Sequence, residues 1–190
     1  MADDRPLRVC IFASSSPRTP RAYRQAATEL GQALAAAGWL CVNGAGRSGC
    51  MGALNDACLA AGGRVRGVIL QQFLDDGLEH PGITDLTCVD TMRERKRQLG
   101  LGVDGYLVLP GGPGTWEEFS EVAVERQIRT HQRPLVVINT DGFYDGFLQQ
   151  AQRGFDDGLL YGSIDELFAI VPDPPMALSV LAAQLRPPQA

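Results

Sequence analysis

Short, unbroken apolar runs recur along the chain at Leu7 to Ala13, Trp39 to Val42, Val65 to Leu70, Leu86 to Val89, Tyr106 to Leu109 and Leu135 to Ile138. Runs of this length without in-out alternation predict strands covered on both faces, as in a parallel sheet. Stretches with helical spacing lie between them: Arg21 to Ala37, Met51 to Ala61, Thr91 to Leu101, Thr115 to Thr130 and Tyr144 to Asp157. The alternation predicts one doubly wound α/β domain over 1–190, a mostly parallel sheet with helices on both faces. In the first helix Ala22, Ala26, Leu30, Ala33, Leu34 and Ala37 recur on one face, and Gly38 stands where a C-cap glycine belongs. Pro172 to Ala190 reads as a docked helix around Met176 to Leu185 with a frayed tail.

Composition narrows the partners. The 190 residues are 45% hydrophobic and 21% charged, ordinary for one globular domain. A formal charge of −5 gives no broad attraction to nucleic-acid polymers or anionic membranes. The one basic cluster, Arg93, Arg95, Lys96 and Arg97, is too short for a nucleic-acid groove but long enough to hold a phosphate group. Five cysteines without a C-x-x-C pair read as reduced, buried thiols. MADDRPLRV carries no apolar secretion core and no stretch approaches a membrane span, so a cytoplasmic location is expected.

Two glycine-rich turns follow predicted strands. Gly44-Ala45-Gly46-Arg47-Ser48-Gly49 spells G-x-G-x-x-G, which suggests a dinucleotide site and a dehydrogenase. That reading lacks the ribose-binding acid expected about 20 residues on; Leu70, Gln71 and Gln72 stand there instead. The plainer inference is a turn whose glycines let backbone approach a phosphate or a neighbouring element. Pro110-Gly111-Gly112-Pro113-Gly114-Thr115-Trp116-Glu117-Glu118 is richer in chemistry. Its glycines remove Cβ atoms that would block an anion, and a helix opening at Thr115 points N–H groups and a positive dipole end at it. Thr115 is expected to cap that helix and donate to a phosphate oxygen. An ordinary loop with a threonine cap would also carry acidic first-turn residues, but three glycines, a threonine and two carboxylates exceed what a plain turn needs.

Arg95 and Lys96 fall near the start of the helix after Leu86 to Val89, and that strand end shares the carboxyl edge of a parallel sheet with the Pro110 turn. The two groups can therefore share a cleft. Breaking an N-glycosidic bond develops positive charge on the sugar and needs an activated water, roles that a carboxylate such as Glu118 serves. Arg95 can hold a phosphate or bridge sugar hydroxyls through its fork of donors, while Lys96 supplies a point charge. The alternative for Arg93 to Arg97 is a solvated helix face of mixed charge.

Pro110 to Glu118 resembles the P-G-G-x-G-T-x-x-E signature of the Lonely Guy family, the cytokinin riboside 5′-monophosphate phosphoribohydrolases, and Met92 to Lys96 resembles its M-H-x-R-K. The likeness runs on through Gly44 to Gly52 with Asp56, His80 to Thr84, Gln127 with His131, and Asn139 to Asp145, and so covers about Val9 to Leu160. It implies a Rossmann-like fold and a homodimer with sites near the subunit interface. No metal or organic cofactor is implied. Arg95 and Glu118 would be the catalytic pair, with Lys96, Gly111, Gly112, Gly114, Thr115, Glu117, Gly46 and Met92 binding a nucleoside monophosphate such as AMP or N6-modified AMP. Family members have been labelled lysine decarboxylases, but no feature of this sequence places pyridoxal phosphate. Departures stand at Arg93 for the usual His, at Asn43-Gly44-Ala45 for Y-G-G, at Gly77 for a substrate-contacting glutamate, and at Val124 for a threonine. Gly77 and Val124 keep open a second class of function, a protein that holds a nucleotide or nucleotide-like cofactor without cleaving it.

Overall fold

A computed structural model of the chain describes residues 5–83 and 85–185. Seven strands form the sheet: β1 (Arg8–Phe12), β2 (Leu40–Asn43), β3 (Arg64–Leu70), β4 (Asp85–Val89), β5 (Gly105–Val108), β6 (Leu135–Ile138) and β7 (Ala169–Val171). Every pairing is parallel, in the order β4-β3-β2-β1-β5-β6-β7. The chain therefore winds outward from β1 in one direction, returns, and winds outward from β5 in the other. That reversal opens a crevice beyond the carboxyl ends of β1 and β5.

The helices are α1 (Arg21–Ala36), α2 (Gly49–Ala60), α3 (Gln71–Asp75), α4 (Met92–Gly100), α5 (Pro113–Gln127), α6 (Asp145–Asp156), α7 (Ile164–Leu167) and α8 (Pro174–Leu185). Strand side chains alternate between two cores, the period of two that a pleat imposes. Val9 and Ile11 of β1 join Leu30 and Leu34 of α1, Leu54 of α2 and Leu181 of α8 on one face. Cys10 and Phe12 join Leu99 of α4, Phe119 and Val122 of α5 and Phe168 on the other. Both faces of the central strands are thus covered, as the unbroken apolar runs predict.

Three readings need correction. The helix after β5 begins at Pro113, with Gly112 as its N-cap, so Thr115 is a buried first-turn residue and not a cap. Proline fits the first helical position because its missing N–H is an orphan there and its φ is already set. Cys88 is exposed while Cys10, Cys41, Cys50 and Cys58 are buried, all five as free thiols. It lies on β4, an edge strand with one neighbour, where burial on both faces does not apply. The short elements α3, α7 and β7 add to the predicted set. Gly38 ends the first helix in a left-handed conformation (φ +68°), as expected. The docked helix falls within Pro172 to Ala190 as predicted, whereas Thr84 and the tail 186–190 lie outside the described residues. Among the described residues no helix is long and apolar enough to cross a membrane.

Candidate active site

Three backbone segments meet at the crevice. The loop after β1 lies between the two glycine turns: the Ser14 N–H donates to the Pro110 carbonyl (3.2 Å), and the Ser14 carbonyl accepts from the Met51 N–H (3.0 Å). Helix α4 enters from the side. Thr91 caps it, its Oγ1 accepting from the Glu94 N–H at 3.2 Å, and one turn later Arg95 projects inward.

Arg95 is buried and triply anchored. Its Nε donates to the Val68 carbonyl (3.0 Å), Nη2 to the Gly44 carbonyl (3.2 Å) and Nη1 to Glu118 Oε1 (3.2 Å). Arg95 and Glu118 are each only 7% exposed. A Cβ at 44 would stand 1.9 Å from Arg95 Nη2, so any larger residue there must displace the anchored guanidinium. Glu118 reaches the pair from the first turns of α5. Burial pushes its carboxyl up to about 7, against the opposing pull of the Arg95 guanidinium; Glu117 and Glu121 add to the rise and Lys96 opposes it. A buried pair in which desolvation outweighs the ionic attraction is physically ordinary. It leaves Glu118 poised to exchange a proton near neutrality.

Around this pair, Lys96 Nζ bridges Glu117 Oε1 (2.9 Å) and Glu121 Oε2 (2.7 Å), and those two carboxylates hold its ammonium above its ordinary range. Arg97 instead pairs with Glu94 (2.8 Å) in solvent. The basic cluster is therefore split: the solvated-face reading holds for Arg97 and fails for Arg95.

At the second glycine turn, Thr115 tucks beneath Gly111, where a Cβ would come within 2.2 Å of Thr115 Oγ1. Cβ atoms at Gly112 and Gly114 would meet nothing within 4 Å, and no side chain caps α5. The outer face of this turn thus offers main chain, unshielded, at the positive end of a 15-residue helix.

The Arg95–Glu118 pair also divides two spaces. Arg95 lines a cavity of about 160 Å³ with Ser15, Gly44, Gly46 and Met51. Glu118 lines a groove of about 530 Å³ between α4 and α5, floored by Phe12 and Tyr106 and edged by Arg93 and Lys96. The structure thus pairs Arg95 with Glu118 and Lys96 with Glu117, sets Gly111 against Thr115 at the start of α5, and brings Gly46 into the cavity that Arg95 lines, whereas Glu117, Gly111, Gly112, Gly114 and Thr115 line neither space. Met92 opens α4 but packs partly into the second core and lines neither space. Gly77 ends its turn at φ +62° with open space around it, and Val124 is exposed. Two contributors escape sequence reasoning. Ser15 has for a signal only its place after the first strand, and the Val68 carbonyl, being backbone, has none.

A doubly wound, Rossmann-like α/β fold with an open glycine turn at a helix N-terminus and a buried carboxylate–guanidinium pair defines the class. Comparison with known proteins makes it specific. Residues 51–181 match the family model described as possible lysine decarboxylase. The chain is 37% identical over 168 residues to a probable cytokinin riboside 5′-monophosphate phosphoribohydrolase of Oryza sativa subsp. japonica, covering 88% of this chain and 74% of that one. It is 32% identical over 174 residues to a cytokinin riboside 5′-monophosphate phosphoribohydrolase of Arabidopsis thaliana, covering 92% and 82%. The chain belongs to the Lonely Guy family. Among solved structures, the molybdenum cofactor binding protein of Rippkaea orientalis superposes with a TM-score of 0.73 at 16% identity, over 96% of this chain and 99% of that one. The molybdenum cofactor carrier protein of Chlamydomonas reinhardtii gives 0.72 at 18%, over 95% and 99%. These two establish the Rossmann-like fold and nothing finer.

The family model's description invokes a chemistry in which a lysine amine forms a Schiff base with pyridoxal phosphate. Lys96 is the sole lysine in the sequence. Glu121 and Glu117 favour its protonated form, whereas such a lysine must lose its proton to act. The residues present do not fit that group.

Proposed function

We propose that this protein hydrolyses the N-glycosidic bond of a nucleoside 5′-monophosphate, AMP or an N6-modified AMP, to free base and ribose 5-phosphate. The observation that carries the reading is the buried Arg95–Glu118 pair, whose carboxyl lies near neutrality, beside the open main chain of Gly112 and Gly114. The names of the relatives in rice and Arabidopsis support it.

The substrate phosphate is held at the N-terminus of α5, which sets the ribose against Glu118. Ionised Glu118 takes a proton from water as the water oxygen bonds to the anomeric carbon; the bond from that carbon to the base nitrogen breaks with its electron pair on the base, and the base takes up, through solvent, the proton that Glu118 gives back, restoring the carboxylate. Arg95 holds the carboxylate and the sugar hydroxyls in place as charge develops on the ring. Because the base form is active and the free protein's carboxyl lies at about 7, kcat/KM is expected to rise with pH through that region and level above it.

The experiment is base release from a panel of monophosphates, followed by chromatography. Glu118→Gln is expected to lower kcat about 10³-fold while nucleotide binding persists. Stoichiometric binding of a nucleotide recovered intact from the native protein would instead support a carrier.

Trp116, Val124 and Ile128 share one face of α5 and its end, 47%, 54% and 62% exposed, a run of apolar surface that suits a self-complementary contact. We propose a homodimer on this face, with the site close to it. Light scattering of Val124→Glu should read a monomer if the face pairs, and a native chain that is monomeric at assay concentration sinks the idea. We also propose a cytoplasmic location, which free, mostly buried thiols favour.

A further inference from the structure

The Gly44–Gly46 turn contains a residue in an unfavoured conformation. Ala45 has φ +63°, a left-handed conformation that residues with a Cβ seldom adopt. Two asparagines, both fully buried, hold it. Asn43 Oδ1 accepts from the Ala45 N–H (2.9 Å), Asn43 Nδ2 donates to Asn55 Oδ1 (2.7 Å), and Asn55 Nδ2 donates to the Gly46 carbonyl (3.2 Å). The remaining Asn43 amide hydrogen points to Cys41 Sγ (3.3 Å). Both amides are satisfied, and their bonds outside the pair end mainly on the backbone of this one turn.

The consequence reaches Arg95. Of its two carbonyl anchors, Val68 lies inside β3, where the sheet fixes it; Gly44 lies just beyond the end of β2, in a turn held by the two asparagines and, at its Ala45 carbonyl, by the His80 N–H (2.8 Å). We infer that Asn43 and Asn55 are positioning residues: by locking the left-handed bend at Ala45 they aim the Gly44 carbonyl at Arg95 and so hold the guanidinium against Glu118. Asn43 stands where the family resemblance expects tyrosine, so this chain fixes its first glycine turn by its own means. The inference rests on the hydrolase reading for its kinetic consequence but not for its structural one.

Two measurements test it on the full chain: kcat and KM for base release from AMP, and a carbon-13 titration of the Glu118 carboxyl. The groups facing that carboxyl are Arg95 and Lys96 from α4, Glu117 and Glu121 on α5, and Cys10 from β1; the variants leave all of them in place. Asn43→Ala is expected to lower kcat about tenfold with KM within about twofold, and to move the Glu118 midpoint upward as Arg95 loosens. Adding Ala45→Gly should restore part of both, because glycine adopts the left-handed bend without the strain that a Cβ brings. Asn55→Ala should repeat the effect, and replaces Asn43→Ala if that variant does not fold. Unchanged kcat and midpoint, or a loss that Ala45→Gly does not even partly repair, overturns the inference. If the native protein releases no base, the hydrolase reading fails by itself; the titration still decides, and an unmoved midpoint then overturns the positioning role.

Discussion

The two glycine-rich turns look alike in sequence and differ in what their glycines face. In the turn after β2, missing side chains make room for the protein itself: a Cβ at Gly44 would strike Arg95, and one at Gly49 would come within 2.7 Å of the Ser14 carbonyl. In the turn after β5, only Gly111 serves the protein, by admitting Thr115, while Gly112 and Gly114 face open space. One turn is a bracket for the guanidinium, and the other leaves main chain open, where the proposed phosphate would sit. A glycine motif therefore signals close approach without saying what approaches; the neighbours decide that.

Substitutions can break or sharpen the contrast. The largest effect is expected from Gly44→Ala. Its methyl displaces a buried guanidinium and leaves Glu118 without its partner, so kcat should fall about 10²-fold or more and stability by about 3 kcal/mol. Activity assays and urea unfolding check both, and near-native behaviour would mean the bracket is soft. Next comes Gly114→Ala, where a methyl enters the phosphate space on a first-turn helical residue. KM for AMP should rise about tenfold, while stability holds or improves by up to about 1 kcal/mol; an unchanged KM would move the phosphate elsewhere. The smallest effect belongs to Gly46→Ala. Its Cβ would meet the Met51 sulfur at 3.0 Å and Ser15 at 3.2 Å, and the methionine can yield, so a loss of about threefold in kcat/KM is expected.

Much of this was legible in the sequence, for physical reasons that also mark the limits. Central strands buried on both faces leave unbroken apolar runs, so β1 to β3, β5 and β6 announce themselves; the three-residue β7 and the five-residue α3 are too short to carry a period. Edge position is a tertiary fact, which is why exposed Cys88 reads as buried. The meeting of Arg95 with Glu118 follows from parallel topology, since strand ends share one edge. Thr115 misleads because a threonine three residues before a glutamate imitates a cap, although Pro113 had already begun the helix. The Val68 and Gly44 carbonyls that hold Arg95 belong to the backbone and leave no letter to read.

A chain with a single lysine gives amine chemistry one side-chain address. Because two carboxylates keep that ammonium charged, an acylating dye would couple slowly until alkali frees it. Once attached, it would sit beside Glu121 in the groove between α4 and α5, a reporter on that space that needs no substitution.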